Sequence, residues 1–369
     1  MIGSLMKFAR VPAGVSIALA LTAAASPGIA QAPSDPRIAQ DGTVTLDGVR
    51  VPLPATASQG GRDYLRKLIV DKPFGTPVPD IKEERARQDG IMFEFLRPMR
   101  DRYKVDITEE KIGGIVVDVV VPAEGIAPEN RNRLLINVHG GGFTTGARSA
   151  SLVESVPLAA LMKIKVVSID YRMGPEYQFP AGSEDVATVY RELLKSYDAS
   201  HIGLYGCSAG GILTSQSIAW FQANDLPNPA AIGVFCAGLN GRFEGDSVAL
   251  SGGLLGNLPA LVAESRPAML PPGGPSYLST ARPEDPLAFP ESSPELLAHF
   301  PPTLFITGTR SFEFSSALTS HNSLAAAGVE SRFHGWDGMF HGFIYNSDLP
   351  EARQAYDVMV NFFDGHLKK

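Results

Sequence analysis

The hydrophobic pattern of this chain changes rhythm near residue 105. Before it, "GRDYLRKLIV" (61–70) and "IKEERARQDGIMFEFLRPM" (81–99) place apolar residues at mixed three- and four-residue steps, the spacing of amphipathic helices. Pro73, Pro77 and Pro79 separate them, so residues 61–105 read as broken helical structure. After it, Val/Ile/Leu runs alternate with helical patterns. The predicted strands are "GIVVDVVVP" (114–122), "RLLINVHG" (133–140), "IKVVSIDYR" (164–172), "HIGLYG" (201–206), "AAIGVFCAG" (230–238), "PTLFITG" (302–308) and "SRFHGWDG" (331–338). Between and after them lie the predicted helices "SLVESVPLAALMK" (151–163), "GSEDVATVYRELLKSY" (182–197), "SAGGILTSQSIAWFQAN" (208–224), "SALTSHNSLAAAGV" (316–329) and "LPEARQAYDVMVNFFDGHL" (349–367). Continuous apolar strands alternating with helices predict an α/β fold, a mostly parallel sheet covered on both faces.

Two stretches break the rhythm. Residues 31–60 are rich in Pro, Gly, Ala and Ser and read as a loose leader. Residues 241–300 carry the same residue types and little strand signal. A compact domain seldom needs so long an irregular connection, so this segment is expected at the strand tops, where substrates bind. No internal repeat or low-complexity block is present in the chain after the leader.

With 369 residues, 44% of them hydrophobic, the chain can bury a large core. Its formal net charge is −7; without Lys7 and Arg10 in the first thirty residues, 30 bases face 39 acids, a balance of −9. Nucleic-acid binding by phosphate neutralisation is therefore not expected. At the N-terminus, "MKFAR" supplies a positive region and "VSIALALTAAA" (15–25) a short apolar one. "SPGIAQA" (26–32) supplies small residues for cleavage, after Ala30 or Ala32, with Ala30 preferred because Pro33 follows Ala32. The apolar run is short for a membrane span. Residues 1–30 thus read as a signal peptide, possession of which predicts a periplasmic or secreted protein with no stable membrane association after cleavage. Met6 is an alternative start. The two cysteines, Cys207 and Cys236, fall at apolar strand ends and are expected as buried thiols. An exported location would also permit a disulfide, and neither spacing suggests a metal site.

The motif richest in chemistry is "GLYGCSAGGILTS" (203–215). An apolar strand ends at Gly206, Ser208 follows, and a helix begins: G-x-S-x-G between a strand and a helix. Side chains at Gly206 or Gly210 would collide with backbone in so sharp a turn. The turn holds a serine hydroxyl proud of the sheet, with a helix N-terminus behind it. A second glycine run, "INVHGGGFTTG", places Gly140, Gly141 and Gly142 after a strand. Their amides, with that of Ala209, are the natural donors to an oxyanion formed in acyl transfer, where one donor is worth about 3 kcal/mol. A phosphate loop would want Lys then Ser/Thr after the glycines; Phe143 stands there instead. Of seven histidines, His341 in "DGMFHGFIYN" follows the last strand and obeys the chain order serine, acid, histidine. His334, inside a predicted strand, is its rival. His139 belongs to the glycine loop; His201, His299, His321 and His366 have no turn chemistry around them.

These motifs together make the sequence resemble the hormone-sensitive-lipase-like group of α/β-hydrolases, bacterial esterases carrying an H-G-G-G motif. The likeness runs from about residue 115 to the C-terminus through "HGGGF", "SIDYRMGPEYQFPAGSEDV", "GCSAGG" and the closing "HGF". The resemblance implies the α/β-hydrolase fold and a nucleophile at Ser208 with His341 as base. It also implies an oxyanion hole from the glycine loop plus Ala209, and no metal or organic cofactor. It implies a mainly structural Asp170–Arg172 block; the charges Asp170, Arg172, Glu176 and Asp185 are expected to pair with one another. Relatives include a plant hormone receptor with a disabled triad, so a non-catalytic small-molecule binder is the alternative class.

One residue departs from the family. The group places its acid as G-T-R-D after the penultimate strand, whereas here Gly308, Thr309 and Arg310 lead to Ser311. A serine can hold a histidine tautomer but cannot offset the imidazolium charge. Glu313, two residues on, has one methylene more than aspartate and is the expected acid, in competition with a plain helix-start role. Asp337, Glu244 and Asp246 are the other carboxylates in reach of the argument. The expectation is a signal peptide (1–30) and a single α/β-hydrolase domain (31–369) with a cap from about 35–105 and 241–300. It hydrolyses small-molecule carboxylic esters of short to medium acyl chain, with lactones or amides as the alternative bond. Homodimerisation through an edge strand or the cap stays open.

Overall fold

Eight strands form one sheet in the order β1-β2-β4-β3-β5-β6-β7-β8. They are β1 (Val105–Ile112), β2 (Ile115–Pro122), β3 (Leu134–Val138), β4 (Lys165–Ile169), β5 (Ile202–Cys207), β6 (Ala231–Phe235), β7 (Thr303–Gly308) and β8 (Ser331–Trp336). From β4 through β8 all neighbours are parallel; β1 pairs antiparallel with β2, and β2 antiparallel with β4. The computed structural model describes residues 50–71, 78–254 and 277–368. The expected signal peptide, most of the leader and the middle of the 241–300 segment lie outside the described residues.

The seven predicted strands all form. The eighth, β1, lies in and beyond a stretch expected to end as helix. Its sequence "VDITEEKI" is mostly exposed and polar, as an edge strand with one covered side can be, so hydrophobicity does not signal it.

The helices are α1 (Gln59–Asp71), α2 (Ile81–Arg102), α3 (Ala150–Met162), α4 (Ala181–Leu193), α5 (Ala209–Ala223), α6 (Asp246–Leu254), α7 (Pro294–Leu297), α8 (Phe314–Ala326) and α9 (Pro350–His366). Strand residues divide strictly between two cores, because successive side chains point to opposite faces. Leu134, Ile136 and Val138 join Ile202, Leu204, Ile232 and Val234 on one face, under Val186, Val189, Ile212, Phe221 and Leu324 from α4, α5 and α8. Leu135, Val166, Tyr205, Phe235, Leu304 and Ile306 face the other way, under Leu65, Met99, Val153, Val156, Met359 and Phe363 from α1, α2, α3 and α9. The sheet is thus covered on both sides.

The 241–300 segment does two things. α6 lies against the α8 start: Ser247 Oγ donates to the Phe312 carbonyl at 2.7 Å and accepts from Ser315 N. Residues 277–300 instead pack down into the α4–α5 core through Tyr277, Leu278, Ala288, Phe289, Leu297 and Phe300. From the N-terminal side, α2 begins at an Asp80 cap, whose carboxylate accepts from Lys82 N and Glu83 N. Its Arg85 then crosses to the glycine loop.

Candidate active site

The turn after β5 shows why its glycines are there. Ser208 sits at φ 58°, ψ −124°, a strained conformation for a residue with a side chain. A methyl group at Gly206 or at Gly210 would fall inside the van der Waals shell of the Val138 carbonyl on the neighbouring β3. Ser208 N donates to the Phe235 carbonyl at 2.8 Å, and Ser208 O accepts from Ile212 N at 3.2 Å. The serine is held between β6 and the first turn of α5.

Across from it, after β8, stands His341. Its Nε2 lies 3.0 Å from Ser208 Oγ. Its Nδ1 lies 3.0 Å from Glu313 Oε2. Phe312 stacks on the imidazole, ring centroids 4.6 Å apart. Glu313 is fully buried. It occupies the N-cap position of α8 but makes no capping bond with its side chain. Its carboxylate turns inward instead: Thr307 Oγ1 donates to Oε1 at 3.0 Å, and the Ser311 hydroxyl donates to Oε2. Burial acts to raise the Glu313 pKa. The charge of His341 and the hydrogen bonds from His341 and Ser311 outweigh it, so the carboxyl is held below its usual range. A charged acid, a histidine and a serine therefore form one hydrogen-bonded line from three separate strand ends.

The glycine loop divides. Gly140 departs from the expectation: its N–H donates to Glu154 Oε1 at 2.9 Å, so it is already spent inside the protein. Among the described residues, no group accepts from the N–H of Gly141, Gly142 or Ala209. Gly141 and Gly142 have φ of 117° and 62°, and a Cβ at Gly141 would strike Thr145. Of the four amides expected as oxyanion donors, the Gly140 N–H alone is taken by a partner among the described residues. His139 is buried, donates from Nδ1 to the Gly140 carbonyl at 2.8 Å and stacks on Tyr171. Burial pushes its pKa down to about 4, so the ring is neutral.

The remaining candidates lie elsewhere. His334 is exposed on β8, beside the Trp336 ring. Asp337 accepts from Thr309 Oγ1 at 3.1 Å and from Thr56. Glu244 meets Ser316 through its backbone N–H, and Asp246 opens α6. Of the four charges expected to pair together, Arg172 and Asp185 do, at 2.9 Å, with Glu184 as a further partner. Glu176 instead takes both ends of Arg85 at 2.7 Å. Cys207 and Cys236 are buried free thiols. Among the described residues, no group of three or more His, Cys, Asp or Glu side chains is arranged to hold a metal.

Sequence reasoning passed over Glu154, although a signal existed: a lone acid in the otherwise apolar "SLVESVPLAALM". It passed over Arg85 for lack of any signal, since a basic residue on a charged helix is ordinary.

A family model described as alpha/beta hydrolase fold matches residues 135–345. The chain is 28% identical over 282 residues to an acetyl-hydrolase of Streptomyces hygroscopicus, spanning 72% of this chain and 89% of that one. It is 25% identical over 242 residues to an esterase of Acinetobacter venetianus, spanning 64% and 76%. Among solved structures it superposes on an esterase E25 with a TM-score of 0.75 at 28% identity, covering 88% of this chain and 99% of that one. An esterase from the bacterial hormone-sensitive lipase family superposes with a TM-score of 0.72 at 25% identity, covering 85% and 100%. With the sheet order, the turn at Ser208 and a match over more than half its length, the chain belongs to the α/β-hydrolase fold family, and its likeness within it is to esterases of the hormone-sensitive lipase group.

Proposed function

We propose that the protein is a serine hydrolase that cleaves small carboxylic esters through an acyl-enzyme. The observation that carries the reading is the line Ser208 Oγ to His341 Nε2 to Glu313, each step 3.0 Å. His341 takes the Ser208 proton as Oγ attacks the ester carbonyl, and ionised Glu313 offsets the imidazolium. The tetrahedral oxyanion is held by the amides of Gly141, Gly142 and Ala209. His341 returns the proton to the leaving alkoxide, and water then repeats the attack on the acyl-serine. Short to medium acyl chains are proposed, in keeping with likeness to a protein named acetyl-hydrolase. We assign α2 and α6 to a cap over the site, supported by the contacts of Arg85 with the Thr144 carbonyl and of Ser247 with Phe312.

The test is turnover of p-nitrophenyl acetate and butyrate, with fluorophosphonate labelling of the serine. Wild type should turn over and label; Ser208→Ala should do neither. Labelling without turnover of any ester would favour a binder built on the same fold.

Export is part of the proposal and rests on the "MKFAR"–"VSIALALTAAA"–"SPGIAQA" order of the first residues. N-terminal sequencing of protein from the periplasm or medium should start at Gln31; a chain retained in the cytoplasm with its N-terminus intact would exclude it.

A further inference from the structure

Glu154 lies on α3, is 6% exposed, and among the described residues hydrogen-bonds to neither the Ser208 nor the His341 side chain. Its two carboxylate oxygens collect four donors. Oε1 accepts from Gly140 N at 2.9 Å and Tyr345 OH at 2.8 Å. Oε2 accepts from Asn137 Nδ2 at 2.9 Å and Cys207 N at 3.2 Å. Each donor belongs to a segment that carries part of the site. Asn137 is the second-last residue of β3, and Gly140 directly precedes Gly141. Cys207 directly precedes Ser208, and Tyr345 follows His341 on the same loop. Packing agrees: a Cβ on Gly140 would lie 2.7 Å from Cys207 O, 2.8 Å from Tyr345 OH and 3.3 Å from Glu154 Oε1. The glycine loop, the nucleophile turn and the histidine loop meet at this one carboxylate.

Among the described residues no lysine or arginine bonds to that carboxylate, so the bonds that hold its charge come from dipoles. The titratable groups facing it are Tyr345, Tyr205 and Cys207, Tyr171 after β4, and Tyr356 from α9, which shares a small cavity with it. Burial pushes all of these well above their ordinary ranges, so they are neutral. Burial pushes Glu154 itself up to about 7, opposed by the bonds from Gly140, Asn137, Tyr345 and Cys207. Protonation would turn one acceptor oxygen into a donor, and three of its four partners are N–H groups that cannot accept.

We propose that Glu154, as an anion, is a positioning residue of the hydrolytic site: its carboxylate ties the Gly140 and Cys207 amides and the Tyr345 hydroxyl together, and so sets the oxyanion loop against the nucleophile. The inference rests on the hydrolase reading above for its catalytic consequence, though not for its structural one. It predicts that kcat falls as Glu154 takes up a proton, that is, as pH drops through about 7.

Glu154→Gln keeps the shape, loses the charge and sets an amide N–H₂ against N–H donors. In the full chain, kcat on p-nitrophenyl butyrate should fall about 100-fold, the scale of a misplaced reacting group, with KM changed by less than about threefold. Its pH profile should lose the step that Glu154 contributes near pH 7. Hydrogen–deuterium exchange over residues 137–146 and 203–210 should speed up. A kcat within twofold of wild type, or unchanged exchange in both segments, would overturn the proposal. If Glu154→Gln does not fold, Tyr345→Phe carries the test. It removes a bond that favours the anion, so the acid limb should move to higher pH, and an unmoved limb refutes the assignment. Failure of wild type to hydrolyse any ester would count against the hydrolase reading alone; the exchange comparison would still decide whether Glu154 holds the two segments.

Discussion

Ser311 and His341 meet on one atom: the Ser311 hydroxyl donates to Glu313 Oε2, the same oxygen that lies 3.0 Å from His341 Nδ1. The family position of the acid is thus not vacant. It holds a hydroxyl that steadies a longer acid arriving from two residues further on, and Thr307 steadies the other oxygen. Glu313→Ala should lower kcat/KM on p-nitrophenyl butyrate by about 10⁴-fold. Ser311→Ala removes one of the neutral bonds to that acid and should cost only about tenfold. Equal rates for wild type and Glu313→Ala would move the search for the acid to Asp337.

The Val138 carbonyl faces the positions that a Cβ on Gly206 or Gly210 would fill. Backbone cannot step aside as a flexible side chain can. Gly210→Ala should cost about 3 kcal/mol or more of stability and abolish turnover. Gly253, by contrast, has open space around its Cα, and Gly253→Ala should be close to neutral. Urea unfolding of both variants makes the comparison, and a stable, active Gly210→Ala would contradict the turn geometry.

Arg85 clips α2 to the site loops. It donates to the Thr144 and Gly174 carbonyls at 2.8 and 3.0 Å and grips both Glu176 oxygens. The ion pair is partly exposed and worth no more than about 1 kcal/mol; the carbonyl bonds from a charged group carry the rest. Arg85→Ala should destabilise by about 2 kcal/mol, mostly retained at high salt, and raise KM. Arg85→Lys should rescue little, since an ammonium cannot make the two-pronged contact. A full rescue by lysine would show that charge alone matters.

Cys207 adjoins Ser208 but should be chemically silent. Burial, followed by the neighbouring Cys236, pushes its thiol well up, and only the thiolate reacts. Ellman's reagent should find no reactive thiol in the native protein and two per chain after denaturation. Rapid native labelling would mean that the site opens to solvent.

How much of this was legible in the chain follows from how local each signal is. Seven strands were legible because continuous apolar runs are a property of a few consecutive residues. Ser208 and Gly210 were legible because a tight turn dictates its own residues, and His341 because it is the one histidine on the loop between the last strand and the last helix. What the sequence by itself determined was therefore the α/β order and the positions of Ser208 and His341 at the ends of β5 and β8. The tertiary structure decided the rest. β1 is written in polar residues and exists because β2 offers it an edge. Residues 277–300 form core because Tyr277 and Phe289 find room beside α5, not because of their own pattern. Ser311 left Glu313, Asp337, Glu244 and Asp246 as rivals, and only the packing of β7, α8 and the His341 loop brings one carboxylate to 3.0 Å. The Gly140 amide, expected as an oxyanion donor, is held by Glu154, fourteen residues away. Hydrogen bonds are settled within a few tenths of an ångström between residues distant in the chain, and periodicity carries no information at that scale.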